Sequence, residues 1–359
     1  LEKLSLLGQK WIFPSNKSEG DFLEKLKEIR GLHAGEIHPG EKMRDLPKAA
    51  DRIRAAIEKG ERILIVGDYD ADGVTASVIL FKAIQFFGGK VSVRLPHRLR
   101  DGYGLNPKFI EEARELEVKL IVTVDNGISA FAEIARAREL EIDVIVTDHH
   151  TAPEILPPAF AIVNPKQSNC EYPDKNLSGA SVAMKLAENL GALPDELRNE
   201  LLALAAIGTL ADVCPLVGEN RTLVTAGLAV LPKIKNAGLR KILANAGVTG
   251  KISAEDIGFR VAPRINAAGR LADPLVAFQT LSNGAGEKFA DELEKINLER
   301  REWTAEVLGE VEEKLGELGA EKILIASGKF HPGIIGLAAA NLAEKYFRPA
   351  IVMSEKNEN

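Results

Sequence analysis

Three aspartates stand at alternating positions in Gly67-Asp68-Tyr69-Asp70-Ala71-Asp72-Gly73, directly after the apolar, β-favouring run Ile63-Leu64-Ile65-Val66. Carboxylates this close repel strongly unless a cation or a proton intervenes. If the extended geometry of the strand persists they share one face, and the chemistry such a face serves is divalent-metal binding. A solvated acidic turn would carry the same letters, so the reading depends on what the rest of the chain brings to these residues.

Two further apolar runs end in the same way. Leu120-Ile121-Val122-Thr123-Val124 leads into Asp125-Asn126-Gly127, and Val144-Ile145-Val146-Thr147 into Asp148-His149-His150. The patterning predicts strands over 63–67, 90–95, 119–124 and 143–147, with helices over 74–87, 107–116 and 129–140 between them. Such alternation implies right-handed crossovers and a mainly parallel sheet. In an open parallel sheet the carboxyl ends of the strands share one edge, where ligands bind. The three acidic ends therefore converge, which solvated turns do not explain. A fourth acid, Asp212, follows the almost wholly apolar stretch Leu201–Ala211. A carboxylate at the end of a buried element needs a partner, and a metal, an ion pair or a helix cap would each provide one.

The totals frame this reading. At 359 residues the chain allows two or three domains. Hydrophobic residues make up 45% and aromatics only 5%, so aliphatic side chains must build the core. Two cysteines, Cys170 and Cys214, give neither a disulfide framework nor a zinc spacing, which fits buried thiols in a reducing cytosol. No apolar run is long enough to cross a membrane. The net charge of −6 argues against a broad electrostatic footprint for nucleic acid, though not against a local one.

Around the alternating region the chain reads as follows. Trp11–Pro14 suits a short edge strand, Asp21–Arg30 a short helix, and Leu46–Lys59 an amphipathic helix. Helices are expected over 180–189 and from Asp195 to about Leu210. Ala262-Pro263-Arg264-Ile265-Asn266-Ala267-Ala268-Gly269-Arg270 combines two Arg and one Asn with small residues that would let a ligand approach the backbone. Either Arg could clamp phosphate, or make a structural salt bridge. From Glu287 to about Leu318, Phe289, Leu293, Ile296, Trp303, Val307, Val311 and Leu315 recur at helical spacing, as in a rigid connector. A strand over 323–326, a Gly-rich turn Ser327–Gly336 able to hold an anion at a helix N-terminus, a helix over 337–346 and a strand over 350–353 follow. This predicts an α/β fold with an N-terminal segment (1–45), a catalytic domain (46–284), a connecting helix (285–319) and part of a second α/β domain (320–359). The first residue is Leu1 and not Met, so a fragment is expected.

With these pieces in place the sequence resembles the DHH phosphoesterase superfamily, and within it the RecJ-type single-strand-specific exonucleases. Four stretches carry the superfamily likeness: Asp68–Gly73, Val124–Gly127, Asp148–His150 and Gly208–Asp212. Four more are RecJ-like: Arg98 with Asp101–Leu105, Cys170–Pro173, Pro263–Arg270 and His331–Gly336.

The resemblance implies a DHH domain, a connecting helix and part of a DHHA1 domain. It implies a site for two ions, Mn²⁺ or Mg²⁺, held by Asp68, Asp70, Asp72, Asp125, His149 and Asp212, with Asp125 bridging. Asp148 would orient His149 or the site water, and His150 would face the scissile phosphate. Arg264, Asn266, Arg270 and His331 match positions near the nucleic-acid backbone. The implied activity is exonucleolytic hydrolysis of single-stranded DNA from the 5′ end, in recombination and repair, in the cytoplasm, beside other repair or replication proteins. Two other readings share the superfamily: a phosphoesterase for nanoRNA and phosphoadenosine phosphate, and a non-catalytic replication scaffold. The RecJ-like stretches weigh against the first, and the complete set of matched ligands against the second.

Overall fold

The computed structural model describes residues 35–282, 284, 286–316 and 321–355. The strand and helix expected within Trp11–Arg30 lie outside them. The first described helix, α1 (Leu46–Glu58), buries Ala49, Ile53 and Ala56 on one side. A Rossmann-like alternation follows: β1 (Arg62–Gly67), α2 (Ala71–Phe86), β2 (Lys90–Arg94), α3 (Pro107–Glu115), β3 (Val118–Val124), α4 (Phe131–Glu139), β4 (Asp143–Thr147) and β5 (Ala161–Val163). β5, only three residues long, had no counterpart in the sequence reading.

All five strands are parallel, in the order β2-β1-β3-β4-β5. The chain leaves β1 towards β2 and then crosses back to β3, so the winding direction reverses between β1 and β3. That reversal opens a crevice at the carboxyl edge, where open α/β sheets bind ligands. Each strand alternates between two cores, as the two-residue period demands. Ile63, Ile65, Leu120, Val122 and Ile145 enter the larger one, while Leu64, Val66, Ile121, Val144 and Val146 enter the other, against α3 and α4.

The larger core is completed by helices: α5 (Gly179–Asn189), α6 (Asp195–Ala211), α7 (Gly218–Val230), α8 (Ala237–Asn245), α9 (Ala262–Leu271) and α10 (Leu275–Ser282). α9 follows a π-helical turn, Ile257–Val261. The long helix α11 spans Gly286–Leu315, about 45 Å at 1.5 Å per residue. It sends Leu293 and Ile296 into the larger core and Val307 and Val311 into a third, smaller one. That third core gathers Leu324, Ile334, Leu342 and Val352 from β6 (Leu324–Gly328), α12 (Pro332–Tyr346) and β7 (Ala350–Ser354), with Phe330 from the turn between β6 and α12. β6 and β7 pair in parallel through α12. Among the described residues no helix is long and apolar enough to cross a membrane.

Three local expectations need correction. α2 begins at Ala71 and not near Val74, because Asp70 caps it: its Oδ1 accepts from the N–H groups of Asp72 and Gly73. The three aspartates therefore do not share the face of a continuing strand; Asp68 ends β1, Asp70 is the cap and Asp72 lies in the first helical turn. Ala262–Leu271 is helical, so its small residues do not offer free backbone to a ligand. A Cβ on Gly269 would come within 2.3 Å of Tyr69 O, so this glycine lets α9 press on the Asp68–Asp70 turn. α12 starts at Pro332, capped by His331, whose Nδ1 accepts from Gly333 N at 3.1 Å.

Candidate metal centre

Gly67 pairs with Val124 and Val124 with Thr147, so the residues that follow them, Asp68, Asp125 and Asp148, leave the sheet side by side. Asn126 holds this edge together. Its Nδ2 donates to Val66 O and Val124 O at 3.0 and 2.8 Å, tying the ends of β1 and β3 across the crevice. Asp125 takes left-handed backbone (φ 60°) and is 2% exposed. Two helices reach in from the larger core. The first N–H groups of α5, on Gly179 and Ala180, donate to Asp72 Oδ2 and Oδ1 at 2.7 and 2.9 Å. α6 ends at Asp212, its C-cap, and a Cβ on Gly208 would come within 2.4 Å of Asp72 Oδ1. Only glycine lets α6 approach this carboxylate.

His149 is the hub of the cluster. Its Nε2 lies 3.0 Å from Asp125 Oδ1, 3.7 Å from Asp212 Oδ2 and 3.8 Å from Asp72 Oδ2. Among the described residues neither His149 Nε2 nor Asp125 Oδ1 has a hydrogen-bond partner, although both are buried. Orphaned buried polar atoms are costly, and acceptors turned towards one another suit a cation. Ligand atoms of Asp68, Asp70 and Asp125 lie within 4.8 Å of one another, as do those of Asp125, His149 and His150. Oxygen-rich donors with one imidazole fit Mn²⁺ or Mg²⁺.

The electrostatics agree. Burial, and then the charge of Asp70, push Asp68 up to about 8, and burial with Asp70 and Asp212 does the same to Asp72. Asp70 and Asp125 are also raised, chiefly by burial. Burial lowers His149, which favours the neutral imidazole that a metal requires.

Asp148 behaves differently from its neighbours. Burial alone would raise it, but His150 and the surrounding backbone donors outweigh that and lower it. Its Oδ1 accepts from His149 N, His150 N and His150 Nδ1, and its Oδ2 from Ile128 N. Buried and engaged at both oxygens, it holds the ring of His150 rather than the ring of His149. The bond to Asp148 raises His150, whose side chain is 47% exposed at the mouth of the site.

The four residues expected at a nucleic-acid backbone separate. Arg264 is engaged internally: Nε and Nη2 pair with Glu294 at 2.6 and 3.1 Å, while Nη1 and Nη2 donate to Arg260 O and Asn245 O. These bonds occupy the guanidinium that the resemblance places near a nucleic-acid backbone. Asn266 braces the metal-side turn, its Oδ1 accepting from Ala71 N at 2.8 Å. Arg270 reaches the seam between α9 and α12, where its Nη1 donates to Gly333 O at 3.5 Å, and His331 caps α12 beside the Trp303 ring. Burial lowers Arg270, with further repulsion from Arg98 and Arg300. Arg98 lies 4.5 Å over the Tyr69 ring, and its buried Nε has no hydrogen-bond partner among the described residues. Sequence reasoning gave Arg98 no role; its one signal was membership of a RecJ-like stretch. These cations stand beside the carboxylates, with Arg98 acting on Asp68 and Asp70 acting on Arg270.

Comparison with known proteins agrees with this geometry. The model of the DHH family, N-terminal domain, matches residues 62–209. The single-stranded-DNA-specific exonuclease RecJ of Bacillus subtilis is 41% identical over 88% of this chain and 41% of its own length. A crystal structure of exonuclease RecJ bound to manganese superposes with a TM-score of 0.78 at 35% identity, covering 87% of this chain and 80% of that one. RecJ from Thermus thermophilus in complex with Mg²⁺ gives a TM-score of 0.70 at 28% identity, covering 91% of this chain and 47% of that one. The chain spans about half the length of the curated relatives it matches, from 41% to 63% for the first three. A parallel sheet with its acids at the β1/β3 crevice, the DHH match and this similarity to RecJ together establish that the chain belongs to the RecJ family of DHH proteins.

Proposed function

We propose that this chain is the catalytic part of a metal-dependent exonuclease that degrades single-stranded DNA from its 5′ end, serving recombination and repair in the cytoplasm alongside other repair or replication proteins. The observation that carries the reading is the orphaned pair at the crevice, Asp125 Oδ1 and His149 Nε2, ringed by carboxylates. Asp68, Asp70, Asp72, Asp125, His149 and Asp212 would hold two divalent ions, Mn²⁺ or Mg²⁺. When bound, such ions supply Lewis acidity towards a phosphodiester and its attacking water.

The chain's own residues set the stage for that chemistry. The α5 N–H groups fix Asp72, Asn266 fixes the Asp70–Asp72 turn, and Asn126 holds the two strand ends in register. His150, its Nδ1 held by Asp148, turns its half-exposed ring to the mouth of the site, where it would face a phosphate oxygen or a leaving oxygen. Arg98 and Arg270 supply positive charge for phosphate beside the carboxylates, and guanidinium suits that role by its paired donors. His331, at the far side of the seam, lines the path of the strand.

The test is nucleotide release from a labelled single strand with Mn²⁺ or with EDTA, comparing the chain with Asp125→Ala. Metal-dependent release lost in the variant supports the reading. Hydrolysis of dinucleotides but not of long strands would favour the nanoRNA activity instead. A folded chain that binds no divalent ion would reject the enzymatic reading.

A further inference from the structure

The turn after Asp212 brings a thiol into the cluster. Val213 adopts left-handed backbone (φ 55°) with its side chain 85% exposed, an unfavourable geometry for a β-branched residue. The turn leaves Asp212 and Cys214 together: Cys214 Sγ donates to Asp212 Oδ2 at 3.1 Å. Ligand atoms of His149, Asp212 and Cys214 all lie within 4.8 Å of one another. The imidazole is only 5% exposed, and its Nε2, aimed at this group, has no hydrogen-bond partner among the described residues.

This trio differs in kind from Asp68, Asp70 and Asp125, which offer oxygen alone. Nitrogen, oxygen and sulfur from three side chains form a donor set for Zn²⁺ and its heavier relatives. Thiolate sulfur prefers soft cations, whereas Mn²⁺ and Mg²⁺ prefer oxygen.

We propose that His149, Asp212 and Cys214 form a thiophilic cation position within the centre, one that takes Zn²⁺ or Cd²⁺ in preference to Mn²⁺ or Mg²⁺. The inference rests on the metal-centre reading above and adds the sulfur donor to it. As the sulfur–metal bond forms, the thiol proton leaves to solvent. Because His149 and Asp212 belong to both donor sets, a soft ion seated here excludes a hard one. Trace zinc or cadmium would then displace manganese from half of the centre.

The test uses the full chain with Cd²⁺, Co²⁺ and Mn²⁺ as probes. Calorimetry should show Cd²⁺ binding more tightly than Mn²⁺, and the Co²⁺ form should show a sulfur-to-cobalt charge-transfer band in the near ultraviolet. Cys214→Ser should abolish the band and weaken Cd²⁺ binding at least roughly tenfold, as loss of a ligand does. Mn²⁺ affinity should change by less than roughly threefold, since manganese gains little from sulfur. No band from the unaltered chain, with Mn²⁺ still bound, would overturn the sulfur position and leave the metal centre standing. Cd²⁺ affinity equal in the two proteins would overturn it likewise. Failure of the unaltered, folded chain to bind any of the three ions would overturn the metal centre, and this inference with it.

Discussion

Asp125 Oδ1 and His149 Nε2 approach to 3.0 Å inside the protein without forming a hydrogen bond. The two atoms come from the ends of adjacent strands, so the sheet itself enforces the contact. With no cation present, burial and mutual repulsion hold the carboxylates around this pair above their usual range.

That gives the pH dependence a definite sign. Asp68 and Asp72 are raised from 3.8 to about 8 in the folded chain. Between those values the folded state binds more protons than the unfolded one, so stability falls as pH rises. The contribution is complete below about pH 4 and lost on passing about pH 8. Thermal unfolding of the EDTA-treated chain should move down by roughly 5 °C or more between pH 5 and pH 8. Excess Mn²⁺ should flatten the profile. Asp125→Asn keeps the shape of the side chain without its titrating carboxyl and should abolish the Mn²⁺-dependent shift. A metal-free chain most stable at pH 8 would contradict this account.

Gly208→Ala tests the approach of α6 to Asp72. The added methyl would meet Asp72 Oδ1, Ala180 Cβ and Thr75 Oγ1 at 2.4 to 2.6 Å. Overpacking of this kind costs about 1–3 kcal/mol. Mn²⁺ affinity should fall with stability, because the atom displaced belongs to the site. Chemical denaturation paired with calorimetry reads both.

Arg264 and Arg270 should separate cleanly. Arg264→Ala breaks a pair with Glu294 in which the two side chains are 14% and 21% exposed. It should cost about 2 kcal/mol of stability with no change in the salt dependence of single-strand binding. Arg270→Ala should leave stability nearly unchanged and weaken single-strand binding with a shallower salt slope. Denaturant midpoints and a salt titration with a fluorescent oligonucleotide distinguish them.

Asn266→Ala leaves Ala71 N without its acceptor and loosens the turn that carries Asp70 and Asp72. Loss of such a supporting bond lowers metal affinity by roughly 10- to 100-fold. Asn266→Asp, which keeps an acceptor oxygen, should recover part of the loss. Equal Mn²⁺ affinity in the parent and the alanine variant would remove Asn266 from the supporting role.

β1, β3 and β4 were legible because each wrote its own signal: an apolar run closed by an acid. Convergence of Asp68, Asp125 and Asp148 followed from parallel topology alone. What the sequence hid were contacts between distant segments. Asp72 looked like one of three equivalent strand-end acids, but Asp70 starts a helix there and the α5 N–H groups, more than a hundred residues on, claim Asp72. Arg264 and Arg270 sit in one motif, and only the position of Glu294 on α11 shows that the first is engaged in the interior. Cys214 read as a buried thiol because nothing in its spacing reveals that Val213 turns back towards His149. β5 escaped notice because three residues carry no period.

α11 is anchored at both ends in different cores, through Leu293 and Ile296 in one and Val307 and Val311 in the other. A continuous helix resists compression and stretching far more than bending, so it works as a strut. It holds the smaller core at a set distance from the larger one, and the seam where Arg270 meets Gly333 is a second tie between them.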